Sequence, residues 1–173
     1  PVTATGTLEY WITNCFSGYT YPMSLFGCDI YSYNYYDDYS NSPVSSSFNS
    51  SYSALYQSAA YYAETPTPFL NVQGKLVASK VKIRDRVPTN NFTNTWMTNL
   101  DFYDEKGRLI QQQTQNPWSK WDTVTLQYNF SNQLVRKIAS YHLWNGANKP
   151  NTRIVTGYNY DLITTRLLDV RQK

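Results

Sequence analysis

Phe102-Tyr103-Asp104-Glu105-Lys106-Gly107-Arg108-Leu109-Ile110 reads as one β-hairpin. Before the turn, Trp96, Thr98, Leu100 and Phe102 share one strand face, and Met97, Asn99, Asp101 and Tyr103 share the other. After it, Leu109-Ile110 opens a second strand that continues through Gln111-Gln112-Gln113-Thr114. Asp104 to Gly107 is turn chemistry. An Asp side chain can accept from the backbone two residues on, and Gly takes φ > 0 without a Cβ clash.

The unit recurs imperfectly. Tyr128-Asn129-Phe130-Ser131-Asn132-Gln133-Leu134-Val135-Arg136 repeats the aromatic, the polar turn and the apolar return strand, with Asn132 where a left-handed residue is wanted. Tyr158 to Leu168 is the third copy. The spacing is 130−103 = 27 from Tyr103 to Phe130 and 160−130 = 30 from Phe130 to Tyr160. A period in this range signals a repeat architecture, here a hairpin plus a loop of variable length.

Tyr103-Asp104-x-x-Gly107-Arg108-Leu109 resembles the YD motif of the RHS/YD-repeat family. Tyr160-Asp161 with Arg166-Leu167-Leu168 resembles the same motif with a turn one residue longer and Thr165 in place of the usual Gly. The similarity covers residues 28–173 and is strongest over 72–173. It implies a division into an irregular β and loop region, 1–75, and YD-like antiparallel hairpins, 76–173. It further implies a piece of a large secreted or cell-surface bacterial protein, in which such repeats build a spiralling β-sheet shell. The implied partners are neighbouring repeats of the same parent, an enclosed toxin domain and a secretion apparatus.

Composition agrees with an all-β, extracytoplasmic chain. Of 173 residues, 17 are Tyr, and charged residues are only 16 %, against roughly 25 % in average globular chains. Tyr and Thr suit a half-buried pleated surface. No apolar run approaches the ~20 residues of a membrane span, and no signal peptide is present. Pro1 follows no Met, which reads as an excerpted or processed start. Net charge is +3. The densest basic group, Lys75 to Arg86, alternates with Val81 and Ile83 as a solvated strand face would, so no nucleic-acid partner is expected.

The expected strands are 1–12, 28–36, 76–86, 95–104, 108–115, 122–130, 133–144, 152–161 and 166–172. Successive hairpins make an antiparallel meander. One short helix is expected at 53–63, on the spacing of Leu55, Ala59 and Tyr62. The strands 2–10 and 122–130 each carry one charge, Glu9 and Asp122, so neither looks guarded as an edge. At least one long strand edge is therefore expected to be open.

Chemistry needs titratable groups that converge, and little here does. A single histidine, His142, excludes a His-based metal cluster. There is no nucleophile elbow and no phosphate-binding Gly loop, so no enzyme and no cofactor are expected. Asp37-Asp38 reads as turn capping rather than a Ca²⁺ site. Cys15 and Cys28 are 28−15 = 13 apart. A bridge would contribute on the order of 3 kcal/mol, and two buried free thiols are the alternative. Trp118 and Trp121, in or beside a turn, could stack glycans. Wall packing is the blander reading for them, as it is for Tyr103 and Tyr160. The Arg108–Asp104 and Arg166–Asp161 pairs, if exposed, are worth about 0–1 kcal/mol each. The rival to a shell segment is a free-standing β-rich carbohydrate-binding or adhesin module.

Overall fold

A computed structural model describes residues 32–40, 47–58, 62–86, 92–116, 120–142, 152–161 and 163–173. The expected strand at 1–12, the Cys15–Cys28 pair and Trp118 lie outside them. Eight strands follow one another: β1 Ser32–Asp37, β2 Val72–Arg86, β3 Phe92–Tyr103, β4 Leu109–Gln115, β5 Trp121–Tyr128, β6 Leu134–Tyr141, β7 Thr152–Tyr160 and β8 Leu167–Gln172. They form a single sheet in the order β1-β2-β3-β4-β5-β6-β7-β8, an antiparallel meander without a crossover.

Two compact units share the sheet: Pro1–Ser45 with Leu70–Leu100, and Ser46–Phe69 with Asp101–Lys173. Residue 75 lies within β2. In the first unit β1 pairs with β2, and β2 pairs with β3 from Ala78↔Leu100 to Arg86↔Phe92. Val77 and Ala78 are fully buried, while Val81 is exposed. Trp96 packs on Tyr33 at 5.1 Å and lies under Lys80 at 5.9 Å, so part of the basic stripe covers an aromatic ring. Asp37 takes φ 72, and its side chain accepts from the Gly74 N–H at 2.5 Å; the Asp38 carboxylate accepts from the Ser40 N–H and hydroxyl. The acidic dipeptide is turn capping.

The second unit is unusual in what it buries. On β4 and β5 one face includes Gln111, Gln113, Thr123, Thr125 and Gln127, and these five are buried. Gln111↔Thr125 and Gln113↔Thr123 are directly opposite. Ile110, Val135 and Ala139 supply apolar packing. A polar face can be buried only if its amides are bonded, and here a strap of the same unit, Ser47–Gln57, supplies the partners. The helical element lies on this strap, as a 3₁₀ helix at Ser50–Leu55 capped by the Asn49 side chain on the Ser51 N–H. It differs from the helix expected at 53–63: the Asn49 cap starts it at Ser50, Tyr56 turns extended and ends it at Leu55, and neither 56–58 nor Tyr62 is helical.

β5 is no edge: β4 and β6 flank it. Its lack of charge reflects burial. β8 is the terminal strand of the meander, with only β7 beside it among the described residues. Leu167, Leu168 and Val170 are each more than half exposed there, and Ile163 just before them is 92 % exposed.

Candidate functional site: a chain of turn latches

Each hairpin turn at one end of the sheet is built around an Asp or Asn that closes its own loop. Asp104 donates its N–H to the Arg108 carbonyl at 3.0 Å and accepts from the Gly107 N–H at its own carbonyl at 2.9 Å. Its Oδ1 accepts from the Lys106 and Arg108 N–H groups, both at 2.9 Å. Gly107 sits at φ 72, where a Cβ would be strained.

The next turn at that end repeats three of these four bonds. Asn129 donates to the Gln133 carbonyl at 2.9 Å, its carbonyl accepts from Asn132 at 3.0 Å, and its Oδ1 accepts from the Gln133 N–H at 2.8 Å. Asn132 holds the left-handed position at φ 67. The third turn is one residue longer. Asp161 donates to the Arg166 carbonyl at 2.9 Å, and Thr165 takes the left-handed position at φ 57. The Asp161 carboxylate accepts from the Ile163 and Thr164 N–H groups, which holds it below its ordinary value. At the opposite end, Asn116 and Lys120 make the same pair of bonds.

This alignment places Tyr128, not Phe130, opposite Tyr103 in the repeat. Phe130 is a turn residue, 62 % exposed, packed edge-on against Tyr62 at 5.5 Å. The unit spacing is therefore 128−103 = 25 and 160−128 = 32. The larger second step contains the connection between β6 and β7.

The residue that closes each of the first two turns also reaches the next one. The Arg108 guanidinium bonds Asp104 Oδ2 at 2.6 Å, then donates to the Asn129 carbonyl at 3.1 Å and to Asn132 Oδ1 at 3.5 Å in the following turn. It stacks over the Tyr128 ring at 4.9 Å. Gln133, its equivalent, bonds back to Asn129 at 2.7 Å and forward to the Thr165 carbonyl at 3.1 Å. Tyr160 donates its hydroxyl to the Leu134 carbonyl on β6 at 3.1 Å. Arg166, third in the series, is exposed and makes no side-chain bond among the described residues. Leu109 and Leu167 open the return strands.

The Arg108–Asp104 pair is not the exposed pair that its turn position suggests. The two side chains are 11 % and 10 % exposed. Glu64 covers them, bonding Arg108 Nη2 and Lys106 Nζ at 2.5 Å each. Its own N–H donates to the Tyr128 carbonyl at 2.8 Å. Segment 62–69 therefore laces the first two turns together. Burial lowers the Arg108 guanidinium, but its bonds to Asp104 and Glu64 outweigh that and leave it above its usual value. The hydrogen bonds from Lys106 and then Arg108 hold the Glu64 carboxyl low.

The strap is held by amides that read its backbone. Gln111 accepts from the Asn49 N–H at 2.8 Å and donates to the Asn49 carbonyl at 2.9 Å. Gln127 does the same to Gln57, at 2.7 and 3.1 Å. Gln113 donates to the Ser47 carbonyl at 3.0 Å, and Arg136 to the Leu55 carbonyl at 2.7 Å and to the Gln57 side chain. Phe48 meets Phe102 edge-on at 6.0 Å, and the buried Tyr52 lies under Arg153 at 5.2 Å. Each of these two glutamines thus substitutes for one rung of a β-ladder.

Sequence reasoning missed Glu64, Gln111, Gln113, Gln127 and Arg136. The available signal was Gln111-x-Gln113 on one strand face. Among the described residues no three His, Cys, Asp or Glu side chains converge as a metal site. No helix among the described residues is long and apolar enough to cross a membrane. No family model, curated protein or solved structure matches the chain.

Proposed function

We propose that the chain is a wall segment of an RHS/YD-repeat β-shell from a large secreted or surface bacterial protein. Its work in this reading is containment, including containment of a toxin domain, and it needs no catalytic group. The observation that carries the reading is the forward-reaching series of turn residues. Arg108 grips the second turn, Gln133 grips the third, and Arg166 stands exposed beside β8, where a fourth turn would lie.

β8 is built to take a further strand. Val155 and Lys173 exchange both backbone bonds at 2.9 Å. In an antiparallel pair such bonded positions alternate. Arg171 and Asp169, opposite Gly157 and Asn159, therefore face β7, and Val170 and Gln172 present their N–H and C=O groups outward. Leu168 and Val170 are apolar and exposed there, and the two charges of the strand, Asp169 and Arg171, are paired with each other, so the outer edge is only lightly guarded.

Sedimentation velocity tests this. The 173-residue chain should self-associate through β8. Val170→Pro removes an outward donor while sparing the ladder to β7. It should yield a monomer with an unchanged melting temperature. A wild-type chain that stays monomeric at tens of micromolar would count against the reading, as would association that survives Val170→Pro.

A further inference from the structure

Where the strap begins, an open cleft of about 500 Å³ lies against the polar sheet face. Its floor is the opposed pair Gln113 and Thr123, both buried. One side is the strap, including Asn49 and the exposed Ser51. Trp121, which shares the face of Thr123 one alternation earlier on β5, and Phe48 supply aromatic surface, and His142 lies beyond the end of β6. Among the described residues the lining holds no carboxylate, ammonium or guanidinium group.

We propose that this cleft binds a neutral di- or trisaccharide. Its volume falls within the roughly 300–1,000 Å³ of small-ligand sites. Indole and phenyl rings offer apolar faces to the C–H side of a pyranose, while the Asn49 side chain and the hydroxyls of Ser47, Ser50 and Ser51 on the strap suit its hydroxyl groups. An acidic or basic ligand would enter without a counter-charge and lose its hydration uncompensated. A peptide is a poorer match. The groups that read main chain on this face, Gln111 and Gln113, are already bonded to Asn49 and Ser47. Glycan binding here is independent of whether β8 continues the sheet.

The test is an array of neutral di- to tetrasaccharides, with sialylated and sulfated glycans as controls, probed with the 173-residue chain. At least one neutral glycan should bind. Trp121→Ala should weaken that binding about tenfold or more. Ser51→Tyr fills the cleft from an exposed strap position and should weaken it similarly at an unchanged melting temperature. If Trp121→Ala fails to fold, Ser51→Tyr decides. Three results would overturn the proposal: no neutral glycan bound, preference for the acidic controls, or binding indifferent to Ser51→Tyr.

Discussion

Asp104→Asn separates the geometry of the first turn from its charge. The amide keeps an Oδ1 for the Lys106 and Arg108 N–H groups, as Asn129 does for Gln133. What it loses is a charge-assisted bond of 2.6 Å between side chains only 10–11 % exposed. Bonds to charged groups are worth about 1.5–3 kcal/mol, and Arg108 retains Glu64 at 2.5 Å, so the expected loss is about 2 kcal/mol. Arg108→Gln strands the Asp104 carboxylate and cuts the link to the Asn129 carbonyl. Removing one partner of a buried pair costs about 3–5 kcal/mol, and the surviving backbone donors to Asp104 place this variant at the low end, about 3. The double variant recreates the Asn–Gln pair found at 129 and 133, so its loss should be about 2–3 kcal/mol rather than the sum of about 5. Urea denaturation of the four proteins gives the coupling directly, and about 2 kcal/mol is expected. Additive losses within about 0.5 kcal/mol would refute the reasoning, because the pair would then carry no energy of its own.

Gly107→Val should destabilise by about 1 kcal/mol or more, since φ is 72 there, whereas Thr165→Gly should stabilise by about 0.5–1 kcal/mol by relieving a β-branched residue at φ 57; thermal melts decide both signs. The Glu64 carboxyl is held below its ordinary 4.5, so its contribution is complete above that pH and is lost as pH falls through the lowered folded value. The stability gap between wild type and Glu64→Gln should accordingly close on acidification, as read by denaturation from pH 7 to pH 3. Gln127→Ala removes two bonds to the Gln57 backbone, worth about 1–3 kcal/mol together. Hydrogen exchange at Gln57 should speed by about tenfold or more while the Ile138 amide in β6 is unchanged.

The meander was legible from period-2 alternation and turn residues, because those signals are local. Asp104, Gly107 and Asn132 announced their turns, and the extra residue before Arg166 was visible by counting. The Phe130 alignment slipped because aromatics were matched instead of the turn-closing Asp or Asn. Glu64 and the glutamines were hidden for another reason. Their partners lie 42 to 70 residues away, and a Gln-rich strand looks solvated until something with a backbone to satisfy covers it. Arg108 looked exposed for the same reason, since Glu64 and segment 62–69, which bury it, are remote in sequence. The cleft beside Trp121 is likewise a product of where the strap begins, which no run of neighbouring residues records.

The central claim is that this sheet is one stretch of a continuing wall, and the most direct measurement is the sequence of the encoding reading frame on both sides of these 173 residues. Further Tyr-Asp…Gly-Arg hairpins are expected there, spaced like the 25 and 32 residues between Tyr103, Tyr128 and Tyr160. The first of them after Lys173 should supply a turn for Arg166 to grip. A frame of ordinary single-domain length with no further copy of the motif would contradict the account.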